Sequence, residues 1–139
     1  MEVAAGVEVP PFLVEEVRVE PMKTVAALLH DPNPIHWDVE AVQALGMGDR
    51  AINQGPSNMA YVVNMLVAWA GDPARLRRLR VRFLGNVLAG DRLAARGVVT
   101  GVREDGGERL AELDVWLERS EDDRMLDGTA TVALGSSNG

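Results

Sequence analysis

The 139-residue chain contains no cysteine. That one absence rules out a disulfide framework, a thiolate metal site and a cysteine nucleophile, and it suits a reducing, cytoplasmic setting. A surplus of basic residues is also missing. Fourteen Lys and Arg stand against twenty-one Asp and Glu, for a net charge of −7, and phosphate-backbone binding relies on the opposite balance, so a nucleic-acid partner is not expected. The first eleven residues hold Glu2 and Glu8 and no basic residue ahead of an apolar block, unlike a secretory signal. The longest apolar run, Met59 to Ala70, is interrupted by Asn64 and is too short to span a bilayer, so no membrane role is expected either. Internal repeats and low-complexity linkers are absent, and the length suits a single domain over 1–139, with about 1–11 and 135–139 expected to be flexible.

What is present is concentrated in two stretches. Asp31-Pro32-Asn33-Pro34-Ile35-His36 places a carboxylate and an imidazole five positions apart, in a segment whose two prolines resist regular helix and stiffen the loop. Such a loop can aim an acid/base pair. Gln54-Gly55-Pro56-Ser57-Asn58 reads as a helix entry, with Pro at the first helical position and free backbone N–H groups able to hold a developing oxyanion.

Around these stretches the pattern predicts an α+β fold. A first strand is expected between Phe12 and Glu20, then a helix from Pro21 with Val25, Leu28 and Leu29 at helical spacing. A short helix follows His36, with Asp38 as N-cap and Gly46 as stop. The helix from about 56 to 70 leaves almost no polar face, so it is expected to be buried on nearly all sides and wrapped by the second half of the chain. From Arg77 the chain reads as antiparallel strands. Leu79, Val81 and Phe83 alternate with arginines, a second strand covers 93–102, a hairpin signal stands at Asp105-Gly106-Gly107, and a third strand covers 110–117. The last strand is centred on 129–134, with Asp127-Gly128 as an interruption.

Asp31 through His36 is similar to the D-x-N-P-[LIV]-H core of the MaoC-like hydratases and dehydratases, the (R)-specific enoyl-thioester hydratase family. The resemblance continues through Asp38, Gly46, the Gly55 helix entry, Trp69-Ala70-Gly71-Asp72, Arg82-Phe83 and Gly90-Asp91, covering roughly positions 24 to 100. It implies a hot-dog domain, an antiparallel sheet wrapped around a central helix. It also implies reversible hydration between a trans-2-enoyl thioester and its (R)-3-hydroxyacyl counterpart, carried by coenzyme A or an acyl carrier protein. By the same resemblance Asp31 and His36 are the catalytic pair, Asn33 supports the site and Gly55 donates its N–H to the thioester oxygen. That chemistry needs no metal and no organic cofactor. A short domain of this kind is expected to pair as a homodimer or with a paralogous subunit.

Two departures from the family pattern stand out: Leu29-His30 in place of Ser-Gly, and Asn53-Gln54-Gly55-Pro56 in place of a His-Gly entry. They imply a substrate pocket more polar than a long acyl chain requires, with Gln54, Pro56, Ser57 and Asn58 as its candidate lining. Ser57 and Asn58 can equally serve the free N–H groups of the first helical turn, and Asn33 can equally set the loop through a local turn. His30 is expected to be structural or pocket-lining. Arg75, Arg77, Arg78, Arg80 and Arg82 are either a solvated strand face or a ridge for carrier phosphates. Two other assignments compete with the hydratase: a hot-dog thioesterase, and a subunit that completes a partner's acyl pocket. The paired Asp31 and His36 favour α,β-chemistry over both.

Overall fold

A computed structural model describes residues 2–31 and 33–136. In order, these form strand β1 (Glu8–Val14), helix α1 (Val19–Leu28), a 3₁₀ turn (Pro34–His36), helix α2 (Val39–Ala44), helix α3 (Gly55–Ala70), a second 3₁₀ turn (Pro73–Arg75), then β2 (Leu76–Phe83), β3 (Leu93–Asp105), β4 (Glu108–Ser120) and β5 (Asp123–Ser136). The five strands make one antiparallel sheet in the order β1-β3-β4-β5-β2. The sheet curls around α3, which is the hot-dog arrangement.

Period-2 patterning builds the sheet's inner face. On β4, Ala111, Leu113, Val115 and Leu117 are all buried, and they meet Val62, Met65 and Leu66 of α3 in one core. Gly106 and Gly107 sit at φ 60° and 81° in the two-residue turn joining β3 to β4, the conformation a tight hairpin demands. β5 is longer than its sequence suggests. Asp127 and Gly128 lie inside it and do not interrupt it, because a β-carbon at Gly128 would fall on the Arg80 carbonyl of neighbouring β2. The glycine there marks close strand approach.

The expectations for the two chain ends and the first helix need correction in three places. The first strand begins at Glu8, earlier than Phe12, and residues 8–11 are part of it; Val9 is buried and the preceding Gly6 and Val7 hydrogen-bond to Val99. Gly135 and Ser136 likewise belong to β5, while residues 137–139 lie outside those described. Val19 and Glu20 open α1 instead of closing a strand, with Pro21 in the first turn, and the inward stripe is Met22 and Ala26 while Leu28 and Leu29 stay exposed.

The central helix also differs from expectation. Asn58, Val62, Met65 and Leu66 form its buried stripe, whereas Ala60, Asn64 and Ala68 are exposed, so the sheet covers one side of α3 and leaves the other open in this chain. On β2, Leu79 and Val81 are half-buried as the alternation requires, but Phe83 is 53% exposed. The arginine ridge is partly neutralised by the neighbouring strands. Arg77 pairs with both carboxylate oxygens of Glu108 at 2.9 Å, and Arg82 pairs with Asp127 at 2.8 and 3.3 Å. The hydrogen bond from Arg82 holds the Asp127 carboxyl below its ordinary value. Among the described residues, Arg78 and Arg80 have no ion-pair partner. None of the described helices is long and apolar enough to cross a membrane.

Candidate active site

Asp31 reaches its place through the way α1 ends. Leu29 is the C-cap and His30 adopts φ 52°, so the His30 N–H bonds back to the Ala27 carbonyl at 3.3 Å and the Asp31 N–H to the Ala26 carbonyl at 2.9 Å. This paired closure uses the left-handed residue that a glycine ordinarily supplies, and here a histidine supplies it. His30 is therefore a structural residue, exposed to solvent. Pro32, one of the two prolines expected to stiffen the loop, lies outside the described residues; Pro34 opens the 3₁₀ turn.

Asn33 is placed as a turn former. Its backbone N–H donates to Asp31 Oδ1 at 3.0 Å, and its own Oδ1 accepts from the Ile35 N–H at 3.3 Å, capping the 3₁₀ turn. That turn presents His36, which is 8% exposed. Its Nδ1 lies 2.5 Å from the Ile52 carbonyl and its Nε2 lies 3.4 Å from Asp31 Oδ2. Because a carbonyl can only accept, Nδ1 must carry a proton. In the neutral imidazole Nε2 is then a lone pair facing a carboxylate oxygen. With a protonated imidazole the 3.4 Å contact is a direct ion pair; with a neutral one, Nε2 and Oδ2 are two acceptors that a donor such as water can bridge.

Ile52 joins this pair to the helix entry. Its N–H bonds to the Ile35 carbonyl at 2.8 Å, and the whole segment Ala51 to Gln54 is buried. Gly55 follows three residues after Ile52, a span of about 10 Å at most. Among the described residues, the Gly55 N–H has no backbone acceptor, as expected for the first position of a helix, where donors point outward at the positive end of the dipole. The Phe83 ring packs over Gly55, 3.3 Å from where a β-carbon would stand.

The four residues expected to line a polar pocket divide. Gln54 is 1% exposed and turned inward; its Nε2 donates to the Met22 carbonyl at 2.8 Å, tying α1 to the start of α3, while Oε1 has no partner among the described residues. Asn58 is equally internal and accepts from Asn53 Nδ2 at 2.8 Å. Gln54 and Asn58 are thus engaged in the protein's own hydrogen bonds. Pro56 is exposed. Ser57 lines a cavity of about 250 Å³ together with Val17, Pro21, Asn53 and Tyr61. Tyr61 Oη accepts from Asn53 Nδ2 at 3.2 Å, which leaves the phenolic hydrogen free.

The sequence pattern does not single out Ile52 or Tyr61, and it carries Asn53 and Phe83 only as parts of longer stretches. Ile52 contributes only a backbone carbonyl, for which no residue type is a signal. Asn53, two residues ahead of Gly55, and Tyr61, within α3, were open to notice as polar groups at an apolar helix.

The antiparallel sheet curled around a central helix defines a hot-dog domain. A model of the MaoC-like domain matches residues 12–117, and the chain belongs to that family. No curated protein sequence matches it. Solved structures with the same fold include the (R)-hydratase from A. caviae involved in PHA biosynthesis, at 22% identity and a TM-score of 0.82 over 96% of this chain and 98% of that one. R-hydratase PhaJ1 from Pseudomonas aeruginosa matches at 18% identity and 0.78, over 97% and 83%. The HadBC (3R)-hydroxyacyl-ACP dehydratase complex from Mycobacterium tuberculosis matches at 19% and 0.75, over 95% and 98%.

Proposed function

We propose that the protein catalyses reversible addition of water to a trans-2-enoyl thioester, forming the (R)-3-hydroxyacyl thioester. The observation that carries this is the approach of His36 Nε2 and Asp31 Oδ2 to 3.4 Å while Nδ1 is tied to Ile52. The acceptor pair holds the water by both hydrogens. As the water oxygen bonds to C3, the pair takes up its proton and the C2–C3 π electrons move toward the carbonyl. The thioester oxygen gains charge, which the Gly55 N–H stabilises, and the proton returned to C2 completes the addition of H and OH. Dehydration is the same path reversed.

Asp31 and His36 are the catalytic residues in this scheme, Gly55 the oxyanion donor, and Asn33 holds the loop without touching substrate. The acyl carrier is coenzyme A or an acyl carrier protein, with Arg78 and Arg80 available to its phosphates. The working unit is a dimer, of two copies or with a paralogue: Trp37, next to His36, and Phe83, over Gly55, are 45% and 53% exposed, apolar surface beside the site that a second subunit would cover. An intact Asp-His pair favours catalysis over a pocket-completing role, and the D-x-N-P-x-H pattern of residues 31–36 favours α,β-addition over thioester cleavage.

Incubation of the purified protein with crotonyl-CoA tests the proposal. Loss of enoyl absorbance with formation of the (R)-3-hydroxy product is expected. Release of free thiol instead would assign a thioesterase, and no change across crotonyl, octenoyl, cyclic and branched enoyl thioesters would overturn catalysis by the isolated chain.

A further inference from the structure

We propose that Asp91 is a positioning residue for His36, acting through the segment Arg50 to Asn53. Asp91 is 5% exposed and lies on the turn before β3, in contact with neither Asp31 nor His36. Its Oδ2 accepts from the Leu88 N–H at 2.8 Å and from Arg119 Nη1 at 3.0 Å; its Oδ1 accepts from Arg50 Nη1 at 3.3 Å. The same Arg50 nitrogen donates to the Ala89 carbonyl at 3.2 Å. One buried carboxylate thus binds together the loop 88–91 and the residue that begins the segment leading to α3.

The two strips of backbone are laced to each other as well. The Ala89 N–H bonds to the Ala51 carbonyl at 2.9 Å, the Asn53 N–H to the Val87 carbonyl at 2.8 Å, and Ile52 bridges Leu88. Ile52 is held from one side by this ladder, and from the other it holds the 3₁₀ turn, through Ile35 and through His36 Nδ1. The position of its carbonyl sets both which imidazole nitrogen is protonated and where Nε2 points. A buried carboxylate is costly to desolvate unless its partners compensate it, and removing its charge frees those partners to move. Substituting Asp91 therefore loosens the ladder at Leu88 and Arg50, and with it the Ile52 carbonyl. Supporting shells of this kind commonly change activity by 10- to 100-fold without touching substrate.

The test uses Asp91→Asn, with Glu118→Gln as the comparison. Glu118 is a buried carboxylate on β4, paired with Arg96 and unconnected to Ile52. The chain has only two histidines, so the Nδ1–H proton of His36 can be followed by NMR in protein labelled at histidine nitrogen. In Asp91→Asn that resonance should broaden or vanish, and kcat on an enoyl thioester should fall about tenfold or more with KM within about threefold. Glu118→Gln should keep both, even at a lowered melting temperature. If Asp91→Asn does not fold, Arg50→Ala decides by the same readouts, since Arg50 is half-exposed and its loss leaves Arg119 on Asp91. An unaltered His36 resonance and kcat in the folded variant would overturn the proposal, as would equal losses in Glu118→Gln. Only the kinetic arm rests on the hydratase assignment. A His36 signal that responds in a protein without hydratase activity would uphold the positioning role and sink that assignment alone.

Discussion

Phe83 packs its ring edge over Gly55, with Cζ 3.3 Å from the space a β-carbon would fill, closer than an ordinary van der Waals contact. The ring is half-exposed and can give way, so Gly55→Ala should fold with a cost of no more than about 1 kcal/mol. The added methyl would stand beside the proposed oxyanion donor. A loss of about 10- to 100-fold in kcat/KM is expected, carried mainly by kcat. Phe83→Ala removes the crowding without touching the N–H, and combining it with Gly55→Ala should restore stability but not turnover. Full recovery of turnover in the double variant would move the effect from the N–H to the ring.

The acid/base pair makes the plainest prediction. Asp31→Asn and His36→Ala should each lower turnover about 100-fold or more while circular dichroism and melting temperature stay near wild type. Asp31→Asn replaces one of the two acceptors by an amide that can donate toward Nε2, so the water loses its second anchor. Near wild-type turnover in either variant would remove that residue from the chemistry.

His30 was open to two roles in the sequence and takes the structural one, at φ 52° in the closure of α1. A β-carbon in that conformation costs roughly 1–2 kcal/mol. His30→Gly should therefore stabilise the protein by about 1 kcal/mol, less the backbone entropy that glycine adds to the unfolded chain. Thermal or urea unfolding measures it. Destabilisation would mean that the imidazole contributes a contact which the backbone geometry does not explain.

The sheet was legible because its strands obey period-2 burial, as Ala111 to Leu117 do, and because Gly106-Gly107 can only be a turn. Helix ends were legible where a side chain does the capping: Asp38 Oδ1 accepts from the Glu40 and Ala41 N–H groups, and Gly46 closes α2 at φ 69°. Gly128 misled because glycine signals a turn and a crowded strand alike, and only the neighbouring Arg80 backbone distinguishes the two. The burial of α3 was overestimated for a related reason: an apolar helix states that something covers it, not that this chain does. In the candidate site, side chains carried by a motif could be named, but the Ile52 carbonyl that orients His36 has no side-chain signature. Gln54 and Asn58 looked like pocket groups because polar residues at a helix entry are indistinguishable, in sequence, from polar residues bonded inward.

That division between Ser57 and Asn58 sharpens the prediction about the acyl group. Ser57 lines a cavity together with Tyr61, whose hydroxyl keeps a free hydrogen, whereas Asn58 is spent on Asn53. A site with unpaired polar groups favours a substrate that pairs them and penalises one that does not. The wild type should therefore prefer a short, cyclic or oxygen-bearing acyl thioester over octenoyl. Ser57→Leu should shift kcat/KM toward octenoyl by roughly 10-fold, the size expected when an apolar side chain replaces a hydroxyl against the acyl group. Asn58→Thr should leave that ratio alone and instead lower stability by about 1–3 kcal/mol, because Asn53 loses the acceptor at 2.8 Å. Measuring both thioesters and a melting curve for each variant separates the two roles. A wild type that already favours octenoyl, or a Ser57→Leu ratio equal to wild type, would leave Ser57 as a residue of the first helical turn and nothing more.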